Sequence, residues 1–146
     1  MELMGTAELG HSPQRVHAAV AILDGYDKWL GIVRGAAALP PAPDDAGPAW
    51  LVDLEAGIGP IRQTKRVRMV RTHNDPPRRV VFERHEDDGA DHSPWVLTAD
   101  VLPSAAGARL QMHIFYGGAR WLPGLDVVLR REVRAAGGRL EKVLRD

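Results

Sequence analysis

The pattern of hydrophobic positions near the start of the chain predicts two short helices in residues 12–31, SPQRVHAAVAILDGYDKWLG. Apolar residues recur there at spacings of three and four, which is the helical period. Ser12 followed by Pro13 is a typical helix start, because the serine oxygen accepts from an unpaired backbone N–H and proline fits the first helical position. An Asp-Gly pair separates the two helices. We expect Trp29 on the second helix to be buried, because so large an apolar ring stabilises a short amphipathic helix only when it packs against the core.

A longer amphipathic helix is predicted at the end of the chain, starting near Leu122. Its apolar stripe has spacings of four and three and consists of Leu125, Leu129, Val133, Ala136, Leu140 and Leu144. Gly137 and Gly138 lie inside it, where each glycine costs about 1 kcal/mol relative to alanine. Two explanations stay open. Either the helix ends early and restarts, or the small residues let another element approach closely or let the helix lift to admit a ligand.

The remaining segments alternate between apolar and polar positions, as half-buried strands do. Seven strands are predicted, at 2–9, 32–39, 49–56, 61–72, 78–85, 95–102 and 108–116. Clusters of glycine, proline and aspartate separate them, and consecutive strands joined by short turns form an antiparallel meander. The predicted fold class is therefore α+β. Residues 1–146 form one domain, in which a curved seven-stranded antiparallel sheet wraps around the long C-terminal helix, with two short helices after the first strand.

Strand parity predicts which side chains face that helix. In five strands one side is apolar and holds large aromatic rings and methionines, whereas the other side carries most of the charges. The inward positions that form the candidate ligand-binding set are Trp50, Val67, Met69, Phe82, Trp95, Leu97, Met112 and Tyr116. Spacing alone favours an ordinary hydrophobic core for them. Gln63 and Lys65 share the inner side of their strand, so these two and Tyr116 are the candidate polar groups of a largely apolar pocket.

Charge and composition exclude several classes of protein. Lysine plus arginine number 19 and aspartate plus glutamate number 19, so the net charge is zero and the basic excess of a dedicated nucleic-acid binder is missing. The sequence has no cysteine, hence no disulfide and no thiolate chemistry. No segment approaches 18 consecutive apolar residues, and the first residues do not resemble a signal peptide. We therefore expect a cytoplasmic protein without a membrane span.

Two charged segments have a structural and a functional interpretation. The loop HEDDGADH at 85–92 offers metal-ligating residues, but it lacks the calcium-loop pattern and is predicted to be a solvated turn. The basic run at 62–71 would suit phosphate contacts, yet parity points its arginines outward. There we expect ion pairs with acids of the neighbouring strands; the arginines are Arg62, Arg66 and Arg68, and the acids are Asp53, Glu55 and Glu83.

Candidate catalytic groups are few. His113 and Asp100 would suit an acid–base pair, but parity places both on the outer face, and only a strand bulge would turn His113 inward. The serines lie at turn or cap positions, and no G-x-S-x-G motif occurs. We therefore assign no catalytic residue, no metal ligand and no cofactor.

The chain resembles the START/Bet v1-like (SRPBCC) helix-grip superfamily, specifically its bacterial polyketide cyclase/dehydrase and lipid-transport branch. The resemblance rests on the helix pair in 12–31 with a tryptophan near its end, on DPPRRVVFE at 75–83, where a turn leads into a strand, and on the terminal helix. It covers nearly the whole of 1–146. It implies a single helix-grip domain with a hollow between sheet and helix that holds an apolar or aromatic small molecule.

Three functions follow as expectations from this resemblance. The first is binding of a hydrophobic or aromatic small molecule, lipid or polyketide-like, in a pocket of roughly 300–1,000 Å³. The second is an enzyme of the polyketide cyclase or dehydratase type. The third is suggested by the YDKWL segment and by YGGARWLPG at 116–124, which resemble actinobacterial toxins of toxin–antitoxin pairs. The expected partner is thus a hydrophobic ligand and not nucleic acid, and a homodimer or a protein partner stays open.

Overall fold

One curved antiparallel sheet and the helices packed on it make up the fold. The computed structural model describes residues 1–118 and 124–146, apart from the side chains of Ile58 and Leu125. The elements in this part of the chain are β1 Glu2–Leu9, α1 Pro13–Val20, a 3₁₀ turn Tyr26–Lys28, β2 Val33–Leu39, β3 Ala49–Ile58, β4 Ile61–Asp75, β5 Arg79–Arg84, β6 Trp95–Ser104, β7 Gly107–Tyr116 and α2 Leu125–Arg145. The predicted α+β helix-grip arrangement is confirmed.

The strand order explains why the early helices are short and paired. The seven strands lie in the order β1-β7-β6-β5-β4-β3-β2, and every neighbouring pair is antiparallel. The first two strands of the sequence are thus the two edges of the sheet, and α1 with the 3₁₀ turn carries the chain from one edge to the other. From β2 to β7 the chain is a meander. Strand β4 differs most from its predicted length, since it continues to Asp75.

The helix pair begins as predicted and is shorter than predicted. The Ser12 side chain accepts from the Arg15 backbone N–H at 3.2 Å, and α1 ends at Val20. The second predicted helix is a single 3₁₀ turn that follows Gly25, whose φ of 86° favours glycine. Trp29 is 3% exposed, which confirms its predicted burial.

Helix α2 lies along β1 and also contacts β3 and the 3₁₀ turn. The predicted stripe is buried at Leu129, Val133, Ala136, Leu140 and Leu144. The expected start at Leu122 and the side chain of Leu125 lie outside the described residues. The interpretation that the helix ends early at its glycines is wrong, because α2 is continuous to Arg145. No described helix combines the length and apolar composition that crossing a bilayer requires.

Close approach of β1 explains one of the two helix glycines. A Cβ atom at Gly137 would lie 2.6 Å from the Cβ atom of Ala7, which is closer than two carbon atoms pack. Gly138 faces open space, since a Cβ atom there would meet nothing within 4 Å. The explanation by small residues is therefore correct for Gly137, and nothing in the structure explains Gly138.

Candidate functional site

A small cavity lies on the concave face of the sheet. It has a volume of about 40 Å³. The described residues that line it are Leu23, Tyr26, Leu30, Ile32, Val33, Val52, Leu54, Val67, Met69, Trp95, Val96, Leu97 and Ile114. The wall of the cavity is apolar. The cavity is no larger than a few water molecules and is smaller than the predicted pocket of roughly 300–1,000 Å³.

Four members of the predicted ligand-binding set line this cavity. Val67 and Met69 reach it from β4, and Trp95 and Leu97 reach it from β6. All four are buried. Strand parity placed them correctly because β4 and β6 hold a regular alternation at these positions.

The other four members of the set are buried but lie away from the cavity. Phe82 packs between the rings of Trp50 and Tyr26, with centroid distances of 5.5 and 6.3 Å. Trp50 also donates its indole N–H to Asp24 Oδ1 at 2.6 Å. Met112 lies beneath α2, and Tyr116 packs on Trp95 with a centroid distance of 4.6 Å. Phe82, Trp50 and Met112 are therefore core residues in this arrangement.

Sequence reasoning missed the residues that close the cavity from the other side. Leu23, Tyr26 and Leu30 come from the segment around the 3₁₀ turn, and Ile32 and Val33 follow it. Their apolar spacing signalled a buried helix face but not which part of the sheet it faces. The Tyr26 hydroxyl donates to the Val20 carbonyl at 2.7 Å, and burial raises the pKa of Tyr26 well above its usual range. Tyr26 thus lines the cavity as an uncharged side chain.

The predicted polar candidates do not line the cavity, although two of them contact each other. Lys65 Nζ donates to the Tyr116 hydroxyl at 2.6 Å and lies 4.6 Å from the centre of the Tyr116 ring. Lys65 pairs in register with Leu54 and is followed on its inner row by Val67, and both of these line the cavity. Gln63 is the previous inward residue, and its Oε1 atom is buried without a hydrogen-bond partner among the described residues.

A second polar site lies on the outer face of β4 and corrects a prediction. Arg68 was expected to be solvent-exposed and paired with a neighbouring strand, but it is only 5% exposed. Its guanidinium donates two hydrogen bonds to Asp45, at 2.9 and 2.6 Å, and one to the His85 carbonyl at 3.1 Å. The loop 40–48 covers it, which strand parity does not reveal. The Arg68 guanidinium holds the pKa of Asp45 well below its usual range.

The rest of the basic run follows the prediction more closely. Arg66 donates to Asp53 at 2.7 Å across β3 and β4, which confirms the expected cross-strand pair. Glu55, which was expected to pair with the same run, pairs instead with Arg34 of β2 at 3.3 Å. These pairs are partly exposed, and solvent screens them.

Arg68, Asp44, Asp45, His85 and Glu86 form a group on the outer face that we call the outer cluster. This cluster is a poor metal site. Ligand atoms of Asp44, Asp45 and His85 lie within 4.8 Å of one another. However, both carboxylate oxygens of Asp45 already accept from Arg68. A cation would meet the guanidinium charge at close range, so these residues fit an ion pair better than a metal ion.

The candidate acid–base pair does not form. Asp100 accepts from Arg79 at 2.6 and 3.2 Å, whereas the His113 ring lies 3.4 Å from Glu2. His113 pairs in register with Thr98 and not with Asp100. Both side chains remain on the outer face and take part in surface ion pairs, as strand parity predicts.

Comparison with known proteins supports the fold. No family model and no curated protein matches the chain. Among solved structures, a START superfamily protein from Mycobacterium smegmatis is similar with a TM-score of 0.71 and 14% identity, over 99% of this chain and 97% of that one. The STAR-related lipid transfer protein from Xanthomonas axonopodis gives 0.68 and 12%, over 97% and 84%. The ginseng major latex-like protein 151 from Panax ginseng gives 0.66 and 10%, over 98% and 96%.

These similarities extend over almost the whole chain at low identity, so they establish architecture. The described structure has a curved sheet, a helix and a 3₁₀ turn between its two edge strands, and a long C-terminal helix. The chain therefore has the START/Bet v1-like helix-grip fold.

Proposed function

We propose that the protein binds a hydrophobic or aromatic small molecule, lipid or polyketide-like, in the cavity between the concave face of the sheet and the segment around the 3₁₀ turn. The observation that carries this proposal is the cavity itself. Thirteen described residues from strands and from the 3₁₀ segment surround it, and its wall is apolar. Protein interiors are otherwise packed as densely as organic crystals, so a void of this kind on a concave face favours a ligand.

The composition of the wall supports a tolerant site. Met69 is flexible and polarisable, and Trp95 presents a broad flat surface, so both adapt to irregular apolar shapes. A ligand larger than a few waters requires the cavity to widen. The 3₁₀ segment is the wall best suited to move, because it is a single short turn whose hydrogen bonds have poorer geometry than those of an α-helix.

The name of one structural neighbour points in the same direction, since it is a STAR-related lipid transfer protein. The proposal implies binding by burial of apolar surface, and the affinity for a neutral ligand would then depend little on salt.

The test compares two variants that carry the same substitution in different places. Val67→Phe adds bulk to the cavity wall, whereas Val127→Phe adds it on the exposed side of α2. We expect wild type and Val127→Phe to bind the neutral dye Nile red saturably, and Val67→Phe to bind it at least about tenfold more weakly. Native mass spectrometry of purified wild type would reveal a co-purified apolar ligand.

Melting temperatures measured on the same samples separate loss of binding from loss of fold. Overpacking a core costs about 1–3 kcal/mol, so Val67→Phe should remain folded. Equal dye binding by all three proteins, together with no co-purified mass, would mean that the cavity is a packing defect and would refute the proposal.

A further inference from the structure

One wall of the cavity is held differently from the others. Most of the described lining residues belong to strands, which the hydrogen bonds of the sheet keep in place. Leu23, Tyr26 and Leu30 belong instead to residues 23–31 around the 3₁₀ turn, which we call the wall segment. The cavity of about 40 Å³ is too small for a lipid or a polyketide, so a bound ligand must displace one wall. Displacing the wall segment leaves the pairing between strands intact.

Helix α2 contacts the wall segment at residues that do not line the cavity. Trp29 borders, together with Val133, a narrow gap beneath α2. Gly31 lies between two lining residues, Leu30 and Ile32, and contacts α2 itself. A Cβ atom at Gly31 would overlap the carboxylate of Glu132. That carboxylate therefore occupies the space that a side chain at residue 31 would need.

A second residue of α2 holds the Glu132 carboxylate in this position. Arg139 donates from Nη1 to Glu132 Oε2 at 2.9 Å. The two residues are seven positions apart, which is about two turns of the helix. The same guanidinium nitrogen would lie 3.0 Å from a Cβ atom at Gly31, so both charged groups meet at this point of the wall segment. We call Gly31, Glu132 and Arg139 the clasp.

We propose that the clasp is an autoinhibitory contact, which holds the wall segment where the cavity is small and must open before a ligand binds. This inference rests on the proposed function and adds the regulation of the same site. A contact present only in the narrow state stabilises that state, and it lowers the apparent affinity by reducing the fraction of binding-competent molecules. Loss of the clasp should therefore tighten binding, whereas loss of a contact that supports a binding site weakens it.

The test measures the dissociation constant of the neutral dye Nile red for variants of the clasp. We expect Glu132→Ala and Arg139→Ala each to lower this constant about two- to fivefold, the range that a partly exposed ion pair allows. Gly31→Ala should act in the same direction, because its methyl group displaces the carboxylate. Gly31 is not among the glycines with positive φ, so its backbone accepts alanine. Gly31→Ala should have no further effect in the Glu132→Ala protein.

The matched control is Arg130→Ala, which breaks the ion pair of Arg130 with Asp126 on the same helix, at 3.6 Å. Its side chain is 52% exposed and that of Arg139 is 45% exposed, and we expect it to keep the wild-type dissociation constant. Hydrogen exchange without dye gives a second measurement. Amides of residues 23–31 should exchange faster in Glu132→Ala and Arg139→Ala than in wild type and Arg130→Ala.

Two results would overturn the role of the clasp while leaving the apolar site intact. One is dye binding that is unchanged or weaker in both Glu132→Ala and Arg139→Ala. The other is unchanged hydrogen exchange of residues 23–31 in both variants. Failure of wild type to bind Nile red overturns the proposed function instead. Both substituted side chains are partly exposed, so the variants should fold, and melting temperatures of the same samples check this.

Discussion

Strand β4 presents a buried or half-buried cation on each face of the sheet, and the two have different surroundings. On the outer face, Arg68 meets a carboxylate, Asp45, through two parallel hydrogen bonds. On the inner face, Lys65 meets a phenol, Tyr116, beside an apolar cavity. A guanidinium paired in this way with a carboxylate of the same chain has a structural role. The two cations thus differ in the charge of the described side chain that each of them contacts.

The contacts of Arg68 also tie two loops to the sheet. The Arg68 backbone N–H donates to Glu86 at 3.2 Å, and the His85 backbone N–H donates to the Arg68 carbonyl at 3.0 Å. His85 Nδ1 lies 3.0 Å from Asp45. The loops 40–48 and 85–92 are thus both fastened to the outer face of one strand. We expect substitutions in the outer cluster to change stability.

The largest expected effect is a loss of folding when a charge is placed between α2 and the concave face of the sheet. Leu129→Asp places an unpaired carboxylate on the buried stripe of α2, where the leucine is 1% exposed. Burial of an unpaired charge costs more than about 4 kcal/mol, a large part of the total stability of a domain, so the variant should not be recovered folded.

Val127→Asp is the matched control on the same helix, at a position that is 55% exposed. We expect its yield and its melting temperature to stay close to those of wild type. Folded, soluble Leu129→Asp with an unchanged melting temperature would show that α2 does not cover the concave face.

The next largest effect concerns the outer cluster. Asp45→Asn removes the carboxylate that neutralises Arg68 and should lower the free energy of unfolding by about 3 kcal/mol. We place it at the lower end of the range for buried pairs because Asp87 lies 3.9 Å from the same guanidinium. Urea unfolding measures the change. Asp53→Asn, which breaks the exposed pair with Arg66, should leave the stability nearly unchanged.

Acid titration gives a second measurement on the same pair. Because the pKa of Asp45 in the folded state is lowered by Arg68, its contribution to stability is present above the usual pKa of aspartate, about 4. That contribution is lost as the pH falls below this value. The stability of wild type should therefore decrease more steeply than that of Asp45→Asn below about pH 4. Parallel curves would mean that the ion pair is not a source of stability.

The contrast between the two faces also explains what the sequence predicts well. Alternation along a regular strand assigns a side chain to a face, so the inward placement of Val67, Met69 and Lys65 is predictable. Whether an outward side chain is exposed depends on loops that return to it from elsewhere in the chain. Asp45 is 23 residues from Arg68 and lies in a proline-rich loop, so no local pattern signals that the two meet.

The same contrast holds for the residues that line the cavity: those on regular strands could be predicted, and those on an irregular segment could not. Strand residues such as Trp95 and Leu97 follow from parity. The residues that close the cavity, Leu23, Tyr26 and Leu30, come from the irregular end of the helix pair, where a single 3₁₀ turn replaces the predicted helix. Which strands that segment faces is fixed by the crossing from one sheet edge to the other, a property of topology and not of local spacing.

The smallest predicted effect tests how tightly α2 covers the sheet. Alanine is a better helix former than glycine by about 1 kcal/mol, so both Gly137→Ala and Gly138→Ala should stabilise an isolated helix. In the folded protein the methyl group at residue 137 would lie 2.6 Å from the Cβ atom of Ala7, whereas residue 138 faces open space. We therefore expect Gly138→Ala to raise the free energy of unfolding by up to about 1 kcal/mol and Gly137→Ala to lower it by about the same amount, because overpacking outweighs helix propensity. Urea unfolding of both variants measures the two signs. Ala7→Gly removes the opposing methyl group, so Gly137→Ala introduced into the Ala7→Gly protein should no longer destabilise it. If Gly137→Ala is as stabilising as Gly138→Ala in the wild-type background, then β1 and α2 are not in close contact, and the explanation of the glycine by close approach is wrong.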